Sequence, residues 1–417
     1  MTTADVLVVG GGAVGLATAH ALRRSGRSVT IVDRALLGSG AATGNAGEVC
    51  PTELSPLAAP GVLKVALSNS YRRGSALYIQ PRALPGLSRY LTHLLQSSTP
   101  DAFTAGVRAL TEFAKPTMAL FKQLETDGVN VGLRQAPYLN AYSSRAVAEN
   151  RRNYKLKTYP AQFGEILPGD ELRRIEPVLS NAVQAGFLTH GQAHLDPETY
   201  IASLSQWLRR NGVRVFEGTQ VTAIREHGDK VVVATSRGDL EAHQLVITAG
   251  VGTPDIARLA GTTLPIVPGK GYSFTITPDH KVTHVIKLEE AYVALAPMDA
   301  GLRIAGTMEF DLNPSTFNRR RVDAIVEAAR PFINVDWDSR THEWVGPRPM
   351  TSDGLPIIDR LPRSRRIFVA AGHNMLGLLL SPATADAVVG LLDDQPPETI
   401  RPFRIDRLPR WLARPVR

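Results

Sequence analysis

Residues 6–15 read Val-Leu-Val-Val-Gly-Gly-Gly-Ala-Val-Gly, a short apolar run entering a Gly-x-Gly-x-x-Gly turn at Gly10, Gly12 and Gly15. A helix-like stretch follows, then Val-Thr-Ile-Val and Asp33. Strand, glycine turn, helix, strand and terminal carboxylate together suit dinucleotide binding, where an isolated glycine triplet would not. Gly10 permits the tight turn, Gly12 lets backbone approach a pyrophosphate, and Gly15 lets helix and strand pack closely. Ala13 and Val14 open the helix, whose free N–H groups receive the pyrophosphate. Asp33, with Arg34 beside it, is the expected partner of the adenosine ribose.

Further elements must position that turn. The segments 245–250 (Leu-Val-Ile-Thr-Ala-Gly) and 367–372 (Ile-Phe-Val-Ala-Ala-Gly) both read as buried parallel strands ending in Ala-Gly. Ala249, Gly250 and Gly372 therefore belong at the carboxyl edge of the same sheet, where backbone can approach a ligand. Asp196 and Pro197 read as N-cap and first turn of a helix to about Asn211. Strands are expected at 213–216, 219–225, 230–236, 271–277, 291–297 and 302–306, with a helix at about 315–330. Residues 60–130 read as amphipathic helical stretches, for example 103–125, with breaks at Pro81, Pro85, Pro100 and Pro116, and 136–185 as alternating short strands and turns. The expected fold is α/β with an α+β second domain: a Rossmann-like nucleotide domain built from 1–59, 190–255 and 341–417, and an inserted antiparallel-sheet substrate domain from 60–189 and 256–340.

Composition narrows the class. The 417 residues are 43% hydrophobic and 21% charged, an ordinary globular balance large enough for two domains. No run is long enough to span a membrane, and no signal peptide precedes the first strand. The single cysteine, Cys50, excludes an internal disulfide and a cysteine metal cluster and fits a cytoplasmic setting; no metal site is expected. The net charge is +8, with Arg401, Arg404, Arg407, Arg410, Arg414 and Arg417 near the end. Peripheral contact with an anionic membrane, using Trp411 and Leu412, is one reading of that tail. A solvated tail is favoured, because the segment is short and broken by Pro402, Pro409 and Pro415. No motif gives the charge a nucleic-acid-binding geometry.

Five motifs in order carry a family resemblance: the glycine fingerprint with Asp33; Gly44-Asn45-Ala46-Gly47; Pro268-Gly269-Lys270-Gly271-Tyr272-Ser273; Gly346-Pro347-Arg348-Pro349 with Asp353-Gly354-Leu355-Pro356; and Ala371-Gly372-His373 leading to Ser381-Pro382-Ala383-Thr384. Across essentially its whole length the chain resembles the FAD-dependent D-amino acid oxidase superfamily, in particular its bacterial D-amino acid dehydrogenase branch. The resemblance implies an extended FAD with Val221 passing the adenine and Asn45, Ala46 and Gly47 along the flavin. It places Gly346 with the cofactor, and Gly372, Asn374, Met375, Leu376 and Gly377 near the flavin pyrimidine, where partial positive charge stabilises reduced flavin. Arg348 is implied to grip the substrate carboxylate as a planar fork and aim the α-hydrogen at flavin N5 for hydride transfer. Tyr272 would bond that carboxylate or line the pocket. His373 would contact flavin or substrate rather than act as a base. Glu48 departs from the small or polar residue expected after the loop, and would attract a substrate ammonium or face solvent. Tyr292 is a further pocket residue. Cys50 lies in the wrong segment for flavin attachment and no histidine occupies 38–47, so non-covalent FAD is expected.

The implied activity is oxidation of the Cα–N bond of a D-amino acid to an imine, then a 2-oxo acid and ammonia. A cyclic or secondary amine such as D-proline or cis-4-hydroxy-D-proline, or a glycine or sarcosine substrate, is the nearest alternative. The electron acceptor is a quinone, another carrier, or oxygen. An electron-transfer subunit without a substrate site is the alternative of another class, against which Arg348 stands. Neither side-chain preference nor oligomeric state is readable.

Overall fold

The computed structural model describes residues 3–61 and 75–412. At its centre is the strand Ala4–Val9, buried at five of six positions, which pairs in parallel with Val29–Val32 on one side and Gly238–Ile247 on the other. Arg214–Phe216 extends this parallel sheet beyond Val29–Val32, and Ile367–Ala371 extends it beyond Gly238–Ile247. In register, Val9 lies opposite Val32 and Ile247, and Ile247 opposite Val369. The glycine turn and both Ala-Gly strand ends therefore emerge at one edge. Lys230–Thr235 and Val221–His227 complete one flank as antiparallel strands.

The helices Ala13–Arg24, Pro197–Arg210 and Gly377–Leu392 share one core against this sheet. Asp196 caps the second, its Oδ1 accepting from the N–H of Glu198 at 2.9 Å. Gly377–Leu392 is apolar on nearly every side because it is enclosed, and no helix among the described residues is long and apolar enough to cross a membrane.

The second sheet has ten strands and is mostly antiparallel. Its central path runs Thr341–Met350, Val267–Ile276, Gly301–Phe310, Val293–Met298, Ile286–Leu288, Tyr138–Tyr142. One face packs Phe274, Ile304 and Leu295 against the helix Arg319–Ala329. The other face carries Lys287, Ala294, Ala305, Ser273 and Trp344 along one register row.

Three expectations change. Thr341–Met350, assigned above to the nucleotide unit, pairs along Val267–Ile276 in the second sheet. Segment 136–185 contains the helix Arg145–Thr158, capped by Ser144; it buries only Ala148 and Lys155, so it shows no apolar stripe. The helical stretch 103–125 is broken at Pro116, as read above, into Pro100–Ala114 and Thr117–Thr126. In the C-terminal segment Leu412 is buried in the core and Arg407 pairs with Asp353 at 2.8 Å, so neither is offered to a membrane; Arg414 and Arg417 lie outside the described residues.

Candidate active site

A cavity of 2390 Å³ runs from the glycine turn, past the 44–46 loop, to the open face of the second sheet. The nucleotide end is shaped by missing side chains. Gly10 adopts φ +110°, and a Cβ there would lie 2.6 Å from the Thr248 carbonyl oxygen. A Cβ on Gly15 would sit 1.9 Å from the Gly10 oxygen, so only glycine lets this helix approach its strand so closely. Gly12 caps the helix without a side-chain hydrogen bond and faces open space. Free helix N–H groups beside an open cradle are what a pyrophosphate requires, so the residues present fit the expected cofactor. Asp33 lines the cavity with Arg34; its carboxylate accepts from the N–H groups of Gly11 (2.6 Å) and Ala35 (2.8 Å), holding the turn, and has lone pairs left for a ribose. Ala13, Val14, Val221, Ala249 and Gly250 also line this end.

The loop at 43–47 is fastened to the second sheet. Arg303, buried, donates to the Thr43 carbonyl at 2.7 Å and pairs with Glu198, and Ser273 donates to the Gly44 carbonyl at 2.9 Å. The Asn45 side chain accepts from the N–H of Gly47, closing a local turn. Gly44 and Gly346 both make room for the Trp344 ring, which a Cβ on either would overlap. Trp344 lines the cavity and was missed above, since in sequence it is an ordinary strand aromatic.

Arg348 also faces the cavity, with its guanidinium lying over Gly271 of the neighbouring strand, where a Cβ would come within 2.1 Å of Nη2. It donates to the Thr307 carbonyl at 3.2 Å, and among the described residues it has no carboxylate partner. Burial lowers its pKa to about 10, so it remains a cation at neutral pH. Asn374 fixes the end of that strand. Its N–H donates to the Pro349 carbonyl (3.0 Å), its Nδ2 to Thr351 Oγ1 (3.1 Å) and to the Gly372 carbonyl (3.0 Å), and its Oδ1 accepts from the Thr351 N–H. Met375, Leu376 and Gly377 follow as cavity lining at the uncapped start of helix Gly377–Leu392. Gly47, Gly346 and Gly372 shape the walls without lining them.

The remaining candidates divide. Tyr272 is buried and lines the cavity, but its hydroxyl donates to Glu309 rather than standing free for a carboxylate; burial and Glu309 push its pKa up. His373 is 2% exposed, its Nε2 lies 3.0 Å from Thr384 Oγ1, and burial lowers its pKa to about 4. It is neutral at physiological pH and turned toward the last helix. Glu48 lines the cavity part-exposed and is not free: it pairs with Lys287 at 3.0 Å. Tyr292 stands exposed at the cavity wall. The Cys50 thiol, buried, is pushed up to about 12 and is not a reactive thiolate. Sequence reasoning also missed Lys287, Glu53 and Glu289, which join this wall from two separate segments.

The family described as FAD dependent oxidoreductase matches residues 5–391, nearly the whole chain. The chain belongs to this family of FAD-dependent oxidoreductases. A D-amino acid dehydrogenase of Cereibacter sphaeroides is 30% identical over 94% of this chain and 92% of its own length. Among solved structures, glycine oxidase from Geobacillus kaustophilus superposes with a TM-score of 0.76 at 21% identity, covering 98% of this chain and 100% of that one. L-proline dehydrogenase from P. horikoshii gives 0.69 at 18% identity, covering 97% and 98%. The structural likenesses establish the shared fold; the family match carries the FAD cofactor.

Proposed function

We propose that this oxidoreductase is a dehydrogenase acting on the Cα–N bond of a D-amino acid, releasing an imine that hydrolyses to a 2-oxo acid and ammonia. The observation that carries the reading is Arg348, a cation in the cavity wall with no carboxylate partner among the described residues. A guanidinium so placed binds an amino acid carboxylate through two parallel hydrogen bonds and thereby fixes its orientation. The Gly10–Val14 turn, Asp33, the 44–46 loop and residues 374–377 would hold FAD, which when bound supplies the hydride acceptor. Arg348 then acts by position, presenting the α-hydrogen in one direction only. His373, neutral and engaged with Thr384, serves the wall rather than proton removal. Choice of the D hand draws support from the names of relatives such as the Cereibacter enzyme.

The test is anaerobic bleaching of the purified protein's flavin by D-alanine, D-proline, glycine and the L-isomers. Bleaching by D-compounds with the L-isomers inert is expected; bleaching by L-isomers alone would overturn the assignment.

A further inference from the structure

We infer that the end of the cavity opposite Arg348 is a subsite for a hydrogen-bond donor on the substrate's side chain, an ammonium or a hydroxyl, with the Glu53 and Glu48 carboxylates as its acceptors. The inference rests on the amino acid oxidation proposed above.

The row of the sheet face that ends at Lys287 carries short side chains before it reaches Trp344. Lys287, Ala294, Ala305, Ser273 and Trp344 share one register row, and the middle positions are alanines that line the cavity. Arg348 reaches the strand Gly301–Phe310 at Thr307. The strand carrying Lys287 lies two positions further on, about 10 Å at ordinary strand spacing. Since Arg348 and Lys287 both reach inward, a ligand anchored by its carboxylate at Arg348 extends its far end over short side chains toward Lys287 and Glu48.

That far end has an excess of carboxylate. Glu48, Glu53, Glu289 and Glu290 line it, and Lys287, Lys155 and Arg151 are the described cations near them. Lys287 holds Glu48 in place. Burial acts to lower the Lys287 pKa, but Glu48 and Glu53 override it and keep the ammonium charged. Lys155 is shared between Glu53 and Glu289, and Tyr142 donates to Glu289. Glu53 is the unfinished member. Its side chain is 8% exposed and lines the cavity, one oxygen takes Lys155, and the other has no hydrogen-bond partner among the described residues. A buried carboxylate oxygen without a donor is costly, and a donor arriving with the ligand relieves that cost. An aliphatic side chain leaves it unmet, and an acidic one meets like charge.

The experiment compares kcat/KM of the purified full chain, and anaerobic flavin reduction, across matched pairs: D-lysine with D-norleucine, and cis-4-hydroxy-D-proline with D-proline, with D-alanine as reference. In at least one pair the donor-bearing member is expected to lead by at least about tenfold; which pair responds distinguishes ammonium from hydroxyl. Glu53→Gln and Glu48→Gln are expected to collapse that ratio, with bound FAD reporting that the fold survives. If E53Q loses FAD, E48Q, at the cavity face, carries the comparison. Equal rates within both pairs while D-alanine still reduces the flavin, or a ratio unchanged in the variants, overturn the subsite alone. No reduction by any D-amino acid overturns the oxidation reading, and the subsite with it.

Discussion

Arg348 and Lys287 occupy opposite ends of one sheet face, and the protein treats the two cations differently. Lys287 has its counter-charge built in: Glu48 lies 3.0 Å away, and both side chains are mostly buried, 17% and 23% exposed. Arg348 has backbone carbonyl and methionine sulfur for company and no described carboxylate, at the cost of a lowered pKa. A cation already paired organises the wall around it. One left unpaired in a cavity is poised for an anion from outside, since a bound carboxylate adds the charge-assisted bonds the protein withholds.

Arg348→Ala breaks the comparison most directly. It should lower kcat/KM for amino acid substrates by about a thousandfold, the scale for losing a charge-paired anchor. Flavin absorbance should be retained, because the glycine turn is untouched. An unchanged kcat/KM would mean that another group holds the carboxylate.

Gly271→Ala sharpens the point without removing the charge. The new methyl would come within 2.1 Å of Arg348 Nη2, so the guanidinium must move. A rise in KM of about ten- to a hundredfold is expected, in keeping with the sensitivity of positional catalysis to small displacements. Gly346→Ala provides the contrast, because its methyl meets the Trp344 ring and not Arg348. Equal effects of both substitutions on KM would count against a specific role for the Arg348 position.

The smallest effect concerns protons. His373, His20 and His194 all have folded-state pKa values lowered to about 4, each chiefly by burial. The unfolded chain takes up these protons first, near the ordinary value of 6.5, so the stability they support is present above that value. It falls as pH drops from 6.5 toward 4, by up to about 1.4 kcal/mol per pH unit for each group. Thermal melts from pH 7 to 4.5 should show this slope, made shallower in His373→Asn. The pH dependence of kcat between 6 and 9 should carry no inflection from His373.

The legibility of the molecule follows the same division. The nucleotide end was readable because its function lies in backbone and missing side chains: Gly10, Gly12 and Gly15 act within one strand–turn–helix, so their spacing is local. Arg348 was reached through its Gly-x-Arg-Pro setting. The opposite wall was not readable, since Glu48 and Glu53, Lys155, and Lys287 and Glu289 come from three segments far apart in the chain and meet only as ion pairs in the folded molecule. Of these, Glu48 alone was noticed, and its partner was invisible. The helix Arg145–Thr158 escaped because propensity and a cap, rather than an apolar stripe, define it.

The hydrogen bonds that Asn374 makes with Pro349, Thr351 and Gly372 couple the strand carrying Arg348 to the loop at the nucleotide sheet's edge. Lys287, by contrast, rides on a three-residue strand far along the other sheet. On the proposed reading, alignment of the reacting bond and choice of side chain thus sit at two ends of one sheet face, and only the first is tied to the nucleotide sheet. A designer can redraw the menu of amino acids at the Lys287 wall while the gauge that sets the reacting bond stays where Asn374 holds it.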